Sequence, residues 1–65
     1  MNWDQIEGEW KQFKGSMLKQ WGKLTDDEFD KIDGDRLKLE GKIQEKYGVA
    51  KEEAKRQVDL WLDQR

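Results

Sequence analysis

Large apolar side chains recur every three or four residues through the first third of the chain, and this spacing constrains the fold most. They are Trp3, Ile6, Trp10, Phe13, Met17 and Trp21. Because an α-helix has about 3.6 residues per turn, these side chains share one helix face. The pattern predicts an amphipathic helix over about residues 3–21, with this face buried in the core.

A helix stop and a helix start follow this stripe. Gly22 comes directly after Trp21, where a glycine with a positive φ would close the last turn. Thr25 and Glu28 have the spacing of a capping box, in which each side chain accepts a hydrogen bond from the other residue's backbone N–H. A second helix is therefore expected to begin at Asp26.

The chain is similar to itself when it is shifted by 26 residues. The aligned pairs include Trp3 with Phe29, Ile6 with Ile32, Gly8 with Gly34, Phe13 with Leu39, Gly15 with Gly41, Met17 with Ile43, Trp21 with Tyr47, and Gly22 with Gly48. This indicates one domain over residues 1–65, made of two repeat units at about 3–28 and 29–54 and a partial third unit.

The second unit repeats the apolar stripe and its stop. Its expected core residues are Phe29, Ile32, Leu39, Ile43 and Tyr47, with a bend at 33–35 and Gly48 as the helix end. A last helix begins near Glu52, with a weak cap because Ala50 and Lys51 offer no capping side chain at its start, and it buries Val58 and Trp61. The predicted fold is all-α, a bundle of four helices arranged as two packed helical hairpins.

Four glycines lie inside the predicted helices, at Gly8, Gly15, Gly34 and Gly41. A glycine in a helix costs about 0.5 to 1 kcal/mol relative to alanine. One interpretation is that a neighbouring helix crosses closely at these positions. The other is that the helices are loose and become ordered only under certain conditions or on a partner.

The composition predicts a marginally stable domain. Only 34% of the 65 residues are hydrophobic, 43% are charged, and the mean hydropathy is −1.24. No cysteine or histidine is present to supply a disulfide or a metal site. Stability must then come from helix packing, at about 3 to 5 kcal/mol.

Catalytic and cofactor sites are not predicted. Ser16 is the single serine, and no histidine or cysteine can act with it. The acidic pairs Asp26 with Asp27 and Glu52 with Glu53 stand at helix starts, where carboxylates interact favourably with the helix dipole. We therefore expect no enzyme activity, no cofactor and no metal.

The four tryptophans allow a second interpretation, in which the first stripe binds a membrane surface or a partner protein. We favour a core role, because the domain has no other large apolar surface, and we expect Trp61 to be the most exposed of the four. The net charge of −2 argues against nucleic-acid binding. With no membrane span or signal peptide in the sequence, we expect a cytoplasmic monomer.

Three segments carry a family resemblance. Residues 10–15 read W-K-Q-F-K-G, residues 20–27 read Q-W-G-K-L-T-D-D, and residues 41–48 read G-K-I-Q-E-K-Y-G. In combination they closely resemble the CsbD-like family of small bacterial general-stress proteins. The resemblance implies two orthogonally packed helical hairpins, similar in arrangement to SAM domains. It supplies no catalytic or binding residues, and Leu37 departs from the polar residue that is usual there, which suggests that this side chain is exposed.

The resemblance implies production under general stress, such as osmotic shock or starvation, with no established molecular activity. The composition is similar to that of hydrophilic protectant proteins, which stay soluble when water is scarce. Our first hypothesis is therefore a non-enzymatic protectant. The alternatives are a protein–protein interaction module and, more weakly supported, association with nucleic acid or a membrane surface.

Overall fold

The computed structural model describes residues 2–64, which form five α-helices and one short 3-10 helix. The α-helices are α1 (Trp3–Gly8), α2 (Lys14–Gln20), α3 (Asp26–Ile32), α4 (Arg36–Tyr47) and α5 (Lys51–Asp63). The 3-10 helix (Trp10–Phe13) lies between α1 and α2. The expected all-α class is confirmed, and the fold measures 27 × 24 × 18 Å.

The first helix is broken, so the prediction of one continuous helix is wrong. At Glu9 the backbone leaves helical geometry, with φ −119° and ψ 35°, and the chain continues as the 3-10 helix before α2 begins. Gly8 and Gly15 flank this region, and glycine has a low helix propensity. Because a 3-10 helix turns more tightly than an α-helix, side chains after the break point in a new direction. The Trp10 ring stacks there on Phe29 of α3, with centroids 4.3 Å apart.

Two helices begin with a capping box. The Glu28 backbone N–H donates to Thr25 Oγ1 at 3.1 Å, and the Thr25 backbone N–H donates to Glu28 Oε1 at 3.0 Å. Asn2 and Gln5 form the same arrangement at the start of α1. At α5, Ala50 provides no side-chain cap. The start of α5 is therefore held by packing and by its own backbone hydrogen bonds.

Positive φ angles occur where α3 and α4 end. Asp33 at 49° and Gly34 at 84° form the bend between these helices, and Gly48 at 66° follows α4. Gly22 has no positive φ, so the prediction for this residue is wrong. Helix α2 ends instead because Trp21 takes a more extended backbone, with φ −120° and ψ 80°.

Close helix crossing does not explain the glycines inside the helices. A Cβ atom added at Gly8, Gly15 or Gly41 would have no neighbour within 4 Å outside its own helix backbone, so the packing interpretation is wrong at these three positions. Gly34 is different, because its Cβ would lie 2.8 Å from Glu7 Cγ and its φ is positive. Both the backbone and the neighbour of Gly34 therefore require glycine.

Apolar side chains from every helix form one core. The buried apolar residues are Ile6, Trp10, Met17, Trp21, Leu24, Phe29, Ile32, Leu39, Ile43, Ala54, Val58, Trp61 and Leu62. Trp3, Phe13 and Tyr47, which we also predicted for the core, are half-buried and pack against this cluster. The stripe read from the sequence thus faces inward even though its helix is broken.

Ion pairs around Glu28 connect the start of α3 to the C-terminal half of α4. Lys46 Nζ lies 2.9 Å and Lys42 Nζ lies 3.6 Å from Glu28 Oε2. The hydrogen bond from Lys46, together with the one from the Thr25 backbone, lowers the pKa of Glu28 from its ordinary value of 4.5 to about 2. One carboxylate therefore caps α3 and holds α4 beside it.

We expect Gly15→Ala and Gly41→Ala each to raise the free energy of unfolding, by about 0.5 to 1 kcal/mol, because each Cβ enters open space within a helix. Gly48→Ala should lower it by about 1 kcal/mol, since its φ is positive. Urea denaturation followed by circular dichroism measures all three variants. Destabilisation by Gly41→Ala as large as that by Gly48→Ala would show that Gly41 is needed for packing.

The stability should also depend on the ionisation of Glu28. Its pKa is lower in the folded chain, so its contribution is fully present above about pH 4.5 and is lost as the pH falls from there to about 2. Glu28→Gln should flatten this part of the stability profile, because glutamine keeps the capping hydrogen bond but loses the charge. The measurement is the urea midpoint between pH 2 and pH 7.

The control for this pH profile is Glu52→Gln, at an exposed glutamate in the first turn of α5 that has no ion pair within residues 2–64. It should leave the slope between pH 2 and pH 4.5 close to that of the unmodified chain. Equal slopes for the unmodified chain and for Glu28→Gln would contradict the assignment.

Candidate functional site

The tryptophans, which we considered as a membrane or partner surface, lie mostly inside the fold. Trp10, Trp21 and Trp61 are buried, and Trp3 is half-buried. The expectation that Trp61 is the most exposed is wrong, because α5 packs onto the core and the Trp61 ring contacts those of Phe13 and Trp21. Three indole N–H groups donate across the fold: Trp3 to Gly34 O at 2.8 Å, Trp10 to Phe29 O at 3.0 Å, and Trp21 to Gln57 Oε1 at 2.9 Å. Little of the stripe remains available for a membrane or a partner.

Arg36 forms a polar cluster between α4 and α5. Its Nε donates to Glu40 Oε2 at 2.8 Å, and its Nη2 donates to Asp59 Oδ1 at 2.6 Å and to Lys55 O at 3.4 Å. Burial acts to lower the pKa of Arg36, but the hydrogen bonds to Asp59 and Glu40 outweigh it and raise the pKa. The cluster joins α4 to α5 and neutralises Glu40, the one buried charged residue that the structure describes. Its role is structural.

The residues with possible catalytic or metal-binding chemistry remain apart. Ser16 is half-buried on α2, and residues 2–64 contain no group of three or more carboxylates placed to hold a metal ion. In the acidic pair at the start of α5, Glu53 accepts hydrogen bonds from Arg56 and Gln57. Both bonds lower the pKa of the Glu53 carboxyl, and the bond from Arg56 has the larger effect. Glu53 is thus engaged within its own helix.

Two large apolar side chains stand out at the surface. Leu37 on α4 is 69% exposed and Leu60 on α5 is 46% exposed. The exposure of Leu37 agrees with its departure from the family pattern. Isolated exposed leucines are common on soluble proteins, so these two alone do not define an interface.

A groove between α3 and α4 combines an apolar floor with a basic rim. Its volume is about 270 Å³. It is lined by Lys31, Ile32, Lys38, Gly41, Lys42 and Glu45. Ile32 is buried beneath the groove, whereas Gly41, Lys31 and Lys38 are exposed, so the helix backbone at Gly41 forms the open floor and the lysines form the rim. This groove is the candidate functional site of the described residues.

We did not predict this groove from the sequence, in which Ile32 was assigned to the core and Gly41 to close helix packing. Lys38, Lys42 and Lys46 follow one another at intervals of four, which places them on one face of α4 and could have been recognised from spacing alone. Lys31 could not have been added, because its position beside α4 depends on the bend at Asp33 and Gly34. The groove is thus a product of tertiary structure.

Several known proteins are similar to this chain. The profile of the CsbD-like family matches residues 4–56. The UPF0337 protein YjbJ of Escherichia coli O6:H1 is 56% identical over 61 residues, which cover 94% of this chain and 88% of that protein. A UPF0337 protein of Rhodopseudomonas palustris is 56% identical over 62 residues, which cover 95% of this chain and 94% of that protein. None of these names states an enzymatic activity.

No solved structure matches the chain significantly. Within residues 2–64, none of the helices is both long and apolar enough to cross a membrane. The family match includes the capping box at Thr25 and Glu28, the bend at Asp33 and Gly34, and all of the groove between α3 and α4. Because the profile covers most of the sequence and relatives share more than half of their aligned residues, the chain belongs to the CsbD-like family.

Proposed function

We propose that the chain is a non-enzymatic general stress response protein that acts in the cytoplasm as a monomeric, hydrophilic protectant. The observation that carries this proposal is the distribution of charge. Of the charged residues that the structure describes, only Glu40 is buried, although 43% of the chain is charged. The surface is therefore covered by ionised groups of both signs that bind water strongly. Membership of the CsbD-like family supports the link to stress.

The compact core is compatible with this role. A protectant with a folded core keeps its tryptophans away from other proteins, since contiguous exposed apolar surface promotes association. Many charged side chains, among them Glu9, Lys11, Lys19 and Asp63, are exposed and make no ion pair within residues 2–64. These groups are free to hydrate the surface when water is scarce.

An interaction module is the second candidate function. The exposed Leu37 and Leu60 and the groove between α3 and α4 favour it, because they offer apolar contacts on an otherwise charged surface. Nucleic-acid and anionic-membrane association gain no comparable support. The net charge of −2 opposes both, and the tryptophan stripe is directed into the core.

For the fold, we propose the finer arrangement of two related helical hairpins with a partial third unit. The positions at which the helices break support it. The first helix breaks at Glu9, and the residue 26 positions later is Asp35, which lies beside the bend between α3 and α4. Helix α3 begins at Asp26, and the position 26 residues later lies one residue after α5 begins at Lys51.

Protection of a labile enzyme tests the protectant role. Lactate dehydrogenase is dried or frozen and thawed with the chain, and the recovered activity is measured. A variant with Glu9→Gln, Lys11→Gln, Lys19→Gln and Asp63→Asn keeps the net charge but loses four exposed charges. We expect it to protect less than the unmodified chain at equal molar concentration, because it binds less water.

The matched comparison is Val58→Ala, which leaves every charge in place but creates a cavity at a fully buried position. It should destabilise the fold by about 1 to 2 kcal/mol and still protect as well as the unmodified chain. If Val58→Ala abolishes protection while the neutralised variant retains it, the folded shape rather than the charged surface is responsible. That outcome would reject the protectant role in favour of an interaction module.

A further inference from the structure

The groove between α3 and α4 has cations that the chain itself does not neutralise. Lys31 and Lys38 are exposed, and neither has a carboxylate within ion-pair distance in the part of the chain that the structure describes. Lys42 is held between Glu28 and Glu45, at 3.6 Å from each. The rim therefore carries an excess of positive charge on a chain whose net charge is negative.

The floor of this groove contains a glycine that packing does not require. Gly41 lies in the middle of α4, where glycine costs helix stability, and a Cβ atom there would meet nothing within 4 Å. Any side chain at this position would project into the groove. The absence of one leaves the helix backbone at Gly41 open to close approach, above the buried Ile32.

We propose that this groove binds an acidic peptide segment of a partner protein. An apolar side chain of the peptide lies over Gly41, and flanking carboxylates pair with Lys31 and Lys38. We choose this partner by charge complementarity, because an apolar floor with a cationic rim matches a peptide that has an apolar side chain between acidic side chains. This inference goes beyond the protectant role and does not depend on it.

Size and charge distinguish a peptide from other anionic ligands. At about 270 Å³, the groove is at or below the lower limit for small-molecule pockets and is suited to one large side chain. A membrane or a nucleic acid presents a wide array of negative charges, which would also meet the many acidic residues of this chain. A short peptide interacts mainly with the charges around the groove, because salt screens exposed charges beyond about 8 to 10 Å.

The test is a titration of the ¹⁵N-labelled chain with the peptide acetyl-Glu-Asp-Leu-Leu-Asp-Glu-amide, followed by amide chemical shifts. We expect saturable shifts centred on Lys31, Lys38 and Gly41, with a dissociation constant on the order of 0.1 to 1 mM, as befits a small exposed site. The same peptide with lysine at its four acidic positions should produce none. Saturable shifts that map to another surface, or no shifts at millimolar peptide, would overturn the proposal.

A pair of charge-reversed variants separates the groove from general electrostatics. Lys31→Glu with Lys38→Glu should weaken binding roughly tenfold, because two rim contacts become repulsive. Lys11→Glu with Lys19→Glu changes the net charge by the same amount at exposed sites outside the groove and should have little effect. An equal loss in both double variants would show that only the net charge matters and would reject the site.

Gly41→Leu tests the floor of the groove directly. Leucine has a high helix propensity and enters open space, so the variant should unfold at the same temperature as the unmodified chain or above it. Its side chain should nevertheless fill the groove and abolish the peptide-induced shifts. Unchanged peptide affinity in this folded variant would contradict the proposal.

Two further measurements identify a different occupant. Sedimentation with phosphatidylglycerol vesicles tests a lipid surface, and sedimentation velocity at increasing protein concentration tests a second copy of the chain. We expect neither vesicle binding nor self-association. Vesicle binding or dimer formation that Lys31→Glu with Lys38→Glu abolishes would replace the peptide with that occupant.

Discussion

Three tryptophan N–H groups hold the N-terminal third of the chain against the rest of the fold. Helix α1 has six residues and α2 has seven, and helices of this length do not persist in water alone. Each indole hydrogen bond joins residues between 19 and 36 positions apart, and each ring also removes a large apolar area from water. The short helices are therefore ordered by tertiary contacts, and we infer that they form together with the core rather than before it.

The apolar period in the sequence was sufficient to predict which face of each helix is buried, but not where each helix breaks. The bend after α3 was predicted because Gly34 stands between two aspartates, and these residues favour turns. Glu9 stands at the equivalent position of the first repeat unit, where only the preceding Gly8 hints at a turn. After the break the Trp10 ring stacks on Phe29, a tertiary contact that no local pattern reveals.

The glycines show a second limit of sequence reasoning. Gly22 and Gly48 follow aromatic residues at matching positions of the repeat, yet only Gly48 has a positive φ. The difference arises because α4 keeps helical geometry up to Tyr47, whereas the backbone at Trp21 has already become extended. Trp21 directs its indole to Gln57 on α5 from this conformation. Tertiary contacts thus determine how the helix ends.

The three open glycines at positions 8, 15 and 41 bear on function because their cost is large for a chain of this size. Gly15 and Gly41 together cost about 1 to 2 kcal/mol relative to alanine, against an expected total stability of about 3 to 5 kcal/mol, and Gly8 adds less because it ends α1. A surface that only had to bind water would fold better with alanine there. The hollow beside Gly15 carries one lysine among neutral polar groups, whereas Gly41 lies under three. The hollow beside Gly8 carries three carboxylates and one lysine, so of the three glycines Gly41 has the largest excess of positive charge beside it.

Protection and docking make different demands on this surface, and the groove can meet both. Hydration depends on ionised groups that have no partner within the chain. Docking depends on a place where a partner protein can reach the backbone, and on charges that attract that partner. Lys31 and Lys38 bind water while the groove is empty and can exchange that water for carboxylates when it is filled. Because each lysine is exposed and flexible, this exchange requires no change in the core beneath it.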